Sequence, residues 1–172
     1  MTSSPPPEET LAEQVQRLFT LPQHLCKQQG LCCRVAVFKG LASHQELLTL
    51  AHDPSPADPE LQAMARDFAS IFIPHPSHAE AHALAPHFVE EVKARAATQS
   101  QPPEAVTFYH CRYVQEDNRC GVHEDRPSGC RAYPIPHSRS LFHKGCGYEA
   151  QAKQQLAELK NLLEPYGLAE NL

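Results

Sequence analysis

Cys26-Lys27-Gln28-Gln29-Gly30-Leu31-Cys32-Cys33 is the segment that most constrains how this chain can fold. Three cysteines crowd into it, and four more follow only after a long interval, at Cys111, Cys120, Cys130 and Cys146. Thiolates repel one another and are costly to desolvate, so gathering several in one place calls for a cation. The expectation is that the two clusters fold together around a metal centre. The candidate ligands are Cys26, Cys32, Cys33, Cys111, Cys120, Cys130 and Cys146, with Cys32, Cys33, Cys120 and Cys130 foremost.

The residues around the cysteines suit that role. Gly30, Gly121, Gly145 and Gly147 allow sharp turns and let backbone amides approach sulfur. Lys27, Arg34, Arg112, Arg119, Arg131 and Lys144 lie beside or close to cysteines and can offset the charge of a thiolate centre. In Arg126-Pro127-Ser128-Gly129-Cys130, Pro127 is expected to open a helical turn with Asp125 near its cap. That would put Cys130 near a helix N-terminus, where the dipole favours a thiolate.

Composition narrows the alternatives. A chain of 172 residues with 41% hydrophobic content is expected to make one domain with a modest core. Its formal charge of −5 argues against a nucleic-acid partner, since phosphate binding needs a basic face. No apolar run is long enough for a membrane span, and the N-terminus lacks the pattern of a secretory signal, so the expected compartment is the cytoplasm. Cysteine clusters in a reducing compartment bind metal more often than they form disulfides. An odd number of thiols leaves one over in any full pairing, and adjacent Cys32 and Cys33 cannot easily bridge to each other. A disulfide framework is the alternative if the chain is exported.

Helix signals punctuate the rest. Thr10 to Glu13, Ser43 to Glu46 and Ser77 to Glu80 read as capping boxes, and Asp58-Pro59 as an N-cap and first helical residue. Leu61, Met64, Ala65, Phe68 and Phe72 form the apolar stripe of the helix after Asp58. A restart is expected at Pro86, and a closing helix carries Tyr148, Leu156, Leu159, Leu162 and Leu163. Val106 to Val114 reads as a strand returning through Cys120 and Val122 after a two-residue turn at Asp117-Asn118. Cys120 would then face Gln115, leaving Cys111 about 13 Å further along, although two thiolates on one zinc need sulfurs about 4 Å apart. Either the pairing ends early, or Cys111 serves another site or none. The expected class is α+β, mainly helical, with short helices around a small β-hairpin and irregular cysteine-bearing loops. Residues 1–8 are read as a disordered tail, 9–167 as one metal-binding domain and 168–172 as a C-terminal tail.

Two runs also carry a resemblance. Cys111-Arg112-Tyr113-Val114, followed by Cys120-Gly121-Val122-His123-Glu124-Asp125-Arg126-Pro127-Ser128-Gly129-Cys130-Arg131-Ala132-Tyr133-Pro134, resembles the zinc- or iron-chelating cysteine-cluster family of the YkgJ type, named for its CxxCxxCC signature. Cys26, Gly30, Cys32 and Cys33 match the N-terminal part of that signature, and Gln29 stands where the family usually has another cysteine. The resemblance implies metal chelation with at least one ligand fewer, or without a second metal. Some larger relatives, the flagellin lysine methylases, carry such a cluster in an enzyme.

Irregular spacing favours an iron–sulfur cluster over zinc, which prefers closely spaced pairs. The expected role is metal storage, sensing or electron transfer. Alternatives are a metalloenzyme or an enzyme accessory of redox or methyl-transfer type, and an interaction module with a purely structural metal; no protein partner is implied. Among the histidines, His75, His78, His82 and His87 are expected on a solvated helix face. His110, His123 and His143 lie among the cysteines, and His123 or His143 is a candidate to replace the ligand lost at Gln29. Glu124 and Asp125 read as capping or surface groups. Phe108, Tyr109, Tyr113 and Tyr133 read as packing.

Overall fold

The computed structural model describes residues 9–133 and 141–171. The segment read as a disordered tail, 1–8, lies outside the described residues, as does Pro134 at the end of the second motif run. The architecture is the expected mainly helical α+β class. The described residues hold α1 (Leu11–Leu18), α2 (Leu31–Arg34), α3 (His44–His52), α4 (Pro59–Ile71), β1 (Phe72–Pro74), α5 (His78–Leu84), α6 (Pro86–Thr98), β2 (Tyr109–Cys111), α7 (Ser128–Ala132) and α8 (Glu149–Leu163). None of these helices is long and apolar enough to cross a membrane.

Two compact units are present, one formed by 9–25, 132–133 and 147–171 and the other by 26–131 and 141–146. In the first, α1 opens at its capping box: the Glu13 amide donates to Thr10 Oγ1 at 3.3 Å, and the Thr10 amide donates to the Glu13 carboxylate at 2.8 Å. Reciprocal satisfaction of the two orphan amides fixes the start of the helix. Helix α8 packs on α1 and buries Ala152, Gln155, Leu159 and Leu163. The buried Gln155 amide donates to the Thr20 carbonyl at 3.1 Å, satisfying a backbone group after α1. The chain leaves α8 through a turn at Glu164–Tyr166, near the expected stop at Pro165. Residues 169–171, within the expected C-terminal tail, form a further 3₁₀ turn.

The second unit contains all seven cysteines and two apolar clusters. Helices α5 and α6 bury Ala81, Ala85, Phe88, Val89, Val92 and Ala96 against Val35, Val106 and Phe108. Helices α3 and α4 pack together and bury Leu47, Ala51 and Ala65 with Phe38 and Tyr109. The expected caps set these helices: Ser43 with Glu46 forms a full capping box, Asp58 accepts from the Leu61 amide, and Ser77 accepts from the Glu80 amide. Pro86 begins α6 at a position where its missing N–H costs nothing.

The sheet departs from expectation. Helix α4 stops at Ile71, and Phe72-Ile73-Pro74 runs extended instead of continuing the apolar stripe. Pro74 disfavours the helical conformation at Ile73, so the helix ends one residue before the last position of the apolar stripe, Phe72. This strand, rather than the return through Cys120, is the partner of β2, antiparallel with Phe72 opposite Cys111 and Pro74 opposite Tyr109. On its other side Tyr109 exchanges two backbone hydrogen bonds with Ala36, at 2.8 and 2.9 Å. Strand β2 is therefore flanked by extended chain on both sides, directly after α2 on one of them.

Leu47 is fully buried between α3 and α4, whereas Leu84 at the end of α5 is 43% exposed. Leu47→Ala is expected to cost about 2–5 kcal/mol in urea unfolding, through the lost transfer energy and the cavity left behind. Leu84→Ala is expected to stay within about 0.5 kcal/mol.

Candidate metal centre

The site is built from α2 outward. Gly30 caps α2 with φ of 71°, a left-handed conformation that favours glycine. It also lies against the Asn118 turn: a Cβ on Gly30 would come 2.6 Å from Asn118 Cβ and 2.9 Å from Asn118 Cα. Arg34, at the other end of α2, clasps the same turn. Its guanidinium donates to the Gln115 carbonyl at 2.8 Å, to the Glu116 carbonyl at 3.1 Å and to Asn118 Oδ1. Hence the helix carrying Cys32 and Cys33 is docked onto the loop that separates Cys111 from Cys120.

That loop corrects the expected register. Gln115 N–H donates to the Arg119 carbonyl at 2.9 Å, and Val114 pairs with Cys120. The connection thus holds three residues, with Asn118 at φ of 70°, rather than the expected two. Cys120 faces Val114, not Gln115. Before the pairing begins, the chain bends at a turn in which Val114 N–H donates to the Cys111 carbonyl at 3.3 Å. The strand ends early, and the straight-line separation expected between Cys111 and Cys120 does not apply. Cys111 is buried, and its sulfur accepts from the Tyr113 amide at 3.4 Å.

Cys130 sits in the short helix α7, and its amide donates to the Pro127 carbonyl at 3.0 Å, as expected of a turn opened by that proline. On the other flank, the loop carrying Cys146 is pinned by His143. Its Nε2–H donates to the Val35 carbonyl at 2.9 Å, its ring stacks on Phe88 at 4.0 Å, and its carbonyl accepts from the Cys146 amide at 2.9 Å. Burial holds the His143 imidazole below its ordinary pKa. Gly145, at φ of 82°, lies beside Gln29: a Cβ there would be 3.8 Å from the Gln29 amide oxygen. The Gln29 amide therefore borders the Cys146 loop.

All seven cysteines are free thiols; Cys111 is buried and the other six are half-buried. The disulfide alternative is absent from this arrangement. Front and rear thiols lie near enough to feel one another's charge. Cys32 and Cys33 share a hydrogen bond, so the pair releases its first proton more readily than an isolated thiol and holds the second more tightly. Negative charge on Cys26 and Cys146 opposes ionisation of Cys32. Burial, helped by Cys33 and Cys120, pushes the Cys111 thiol up. Cys130 is pushed up to about 11 by burial first, then by Cys111, Cys33 and Cys120. Cys130 lies in the first turn of α7, as expected, while burial opposes its ionisation. Among the described residues, no group of three or more His, Cys, Asp or Glu is arranged so that it could hold a metal ion as it stands.

The cations also divide differently from their sequence positions. Arg126 is the cation whose charge favours the thiolate at both Cys33 and Cys130. The Arg34 guanidinium is committed to the Asn118 turn, and Arg131 donates to the Arg126 carbonyl at 2.7 Å. The signal for Arg126 was its place in the Arg-Pro-x-x-Cys run, four residues before Cys130 on a turn that folds back.

Two histidines expected on a solvated face are docked instead. His75 Nε2 donates to the Arg34 carbonyl at 2.8 Å, and His78 Nε2 donates to the Val106 carbonyl at 2.6 Å. His82 stays on the surface, 3.5 Å from Glu90, and His87 is exposed. His143 serves as a neutral structural pin through Nε2, while His123 is half-buried and its carbonyl accepts from Arg126 at 3.1 Å. His110 lies 5.2 Å from His75 in a cleft of about 330 Å³ lined also by Arg34, Glu80 and Leu84. The chain matches no protein-family model, no curated protein and no solved structure at a significant level.

Gly30→Ala is expected to destabilise the second unit by about 1–3 kcal/mol, because it combines left-handed strain with a clash on the Asn118 backbone. Gly129→Ala, where a Cβ meets nothing within 4 Å, is the matched control. In chelator-treated protein near neutral pH, mass spectrometry after limited alkylation is expected to find the first label on the Cys32/Cys33 pair. Lowering the pair's first ionisation raises its thiolate population, whereas Cys130 remains protonated and unlabelled. Labelling of Cys130 first would contradict this ordering.

Proposed function

We propose that this chain is a metal-chelating protein that binds an iron–sulfur cluster or zinc through cysteine thiolates, Cys32, Cys33, Cys120 and Cys130 foremost, with Cys26, Cys111 and Cys146 around them. The observation that carries this reading is the docking of α2 on the 115–118 turn, which brings thiols from distant parts of the sequence into mutual electrostatic reach without bridging them. The donor set suits soft or borderline metals, which favour thiolate. Bound metal would supply the attraction that thiolates lack among themselves and draw them into a coordination shell. Its binding would displace the protons that burial now holds on Cys111 and Cys130.

Chelation for storage, sensing or electron transfer fits better than catalysis. Adjacent residues of a strand point to opposite faces, so His110, which lines the cleft with His75 and Glu80, is directed away from Cys111. His110 and Cys111 are therefore on opposite faces of β2. Metal chelation also agrees with the resemblance of the Cys111–Val114 and Cys120–Pro134 runs to the YkgJ-type family.

Anaerobic purification followed by elemental analysis and an optical spectrum tests this reading. The expected result is stoichiometric iron with sulfide-to-iron absorption near about 400 nm, or colourless protein with stoichiometric zinc. Cys33→Ser is expected to lower metal content by at least about tenfold under competing chelator, whereas His82→Ala leaves it unchanged. Protein that takes up neither metal would refute the proposal.

A further inference from the structure

We propose that the cleft lined by residues of α5 and β2 is a binding site for a small organic cation, a primary ammonium carried on a short aliphatic body. Its lining includes no cysteine, and the assignment is independent of metal chelation.

The cleft measures about 330 Å³, a volume at the lower end of sites that hold small molecules. Its polar groups are placed by the backbone around them. At Thr10 and Ser43 the glutamate three residues on returns its carboxylate to the N-cap amide and closes the capping box. At Ser77 only the half made by the Glu80 amide forms, at 3.3 Å. Among the described residues the Glu80 carboxylate has no hydrogen-bond or ion-pair partner, and Glu80 lines the cleft instead. His75 commits Nε2–H to the Arg34 carbonyl at 2.8 Å, so in the neutral ring its other nitrogen is an acceptor. His110 is half-buried with its ring 5.2 Å from that of His75, and it too has no hydrogen-bond partner among the described residues.

The sign of the ligand follows from what is left over. Arg34 also borders the cleft, but its guanidinium donates into the 115–118 turn and its carbonyl is taken by His75. The remaining groups are a carboxylate and an imidazole lone pair, which repel an anion and accept from a donor-rich cation. An ammonium offers three N–H donors and no acceptor, and its bond to a carboxylate is charge-assisted. The net charge of −5 favours the approach of a cation. The rest of the ligand is set by Leu84, which lies four residues after Glu80 on the same face of α5, and by Pro76 and Val114. Leu84 is exposed, so an aliphatic body laid over it removes apolar surface from water beside the carboxylate that holds the head.

The full-length protein is titrated near neutral pH with isopentylammonium, isopentyl alcohol and isovalerate, which carry the same body under cationic, neutral and anionic heads. Nuclear magnetic resonance follows the ring C–H signals of His75 and His110 and the Glu80 amide. The ammonium is expected to shift these signals saturably and to bind at least about tenfold more tightly than the alcohol, while isovalerate leaves them unmoved. Glu80→Gln is expected to weaken ammonium binding about tenfold, and Leu84→Ala about threefold. His82→Ala, at a surface position of α5, leaves it unchanged. If a variant fails to fold, the comparison of the three heads on the unaltered chain decides the question. Equal binding of the three compounds, preference for isovalerate, no saturable shift with the ammonium, or shifts undiminished in folded Glu80→Gln would overturn the assignment. Metal content is read separately, and none of these outcomes bears on chelation.

Discussion

A glycine with no room for a side chain meets the backbone of an asparagine turn, and an arginine one helical turn away fastens the same turn by its carbonyls. This contact between α2 and the 115–118 loop joins parts of the sequence more than eighty residues apart. The Gln115 and Glu116 carbonyls accept from Arg34, and Gly30 permits the close approach of the two segments. Without it, Cys32 and Cys33 would have no fixed relation to Cys111, Cys120 and Cys130. The Ala36–Tyr109 pairing continues the same junction, and the two apolar clusters close over its ends through Val35, Phe38, Phe108 and Tyr109.

Electrostatics at the junction is poised between two states. Without a cation, burial and mutual repulsion keep Cys111 and Cys130 protonated, and Cys32 and Cys33 share a proton. With a cation the same proximity becomes favourable, since each neighbouring thiolate adds a ligand rather than a repulsion. On the chelation proposal, the scaffold of α2, β2 and the pinned His143 loop sets which thiols can meet, and a bound ion would supply the force that closes them. His110 lies on the face of β2 opposite to Cys111.

Much of the helical framework was legible because its signals are local. Thr10, Ser43, Asp58 and Ser77 cap where their side chains predict, and Pro86 restarts a helix for the reason proline favours a first helical position. The sheet was not legible. Phe72 fits both a helical stripe and a strand, and only the effect of Pro74 on the residue before it tips the balance. The hairpin register was missed by one residue, because Asn118 adopts a left-handed conformation and lengthens the loop. Candidate ligands were readable from residue type and spacing, but the partners of His75, His78 and His143 are backbone carbonyls far away in sequence. No local pattern encodes such pairings.

The most direct test of the central claim is X-ray absorption at the metal edge of the loaded protein, which reports the atoms bound to the ion. A first shell of sulfur at about 2.3 Å, diminished when either Cys33 or Cys120 is replaced by serine, is the expected result for zinc held by thiols from both parts of the chain. A first shell of nitrogen and oxygen alone, or a sulfur shell indifferent to one of those two replacements, would contradict it.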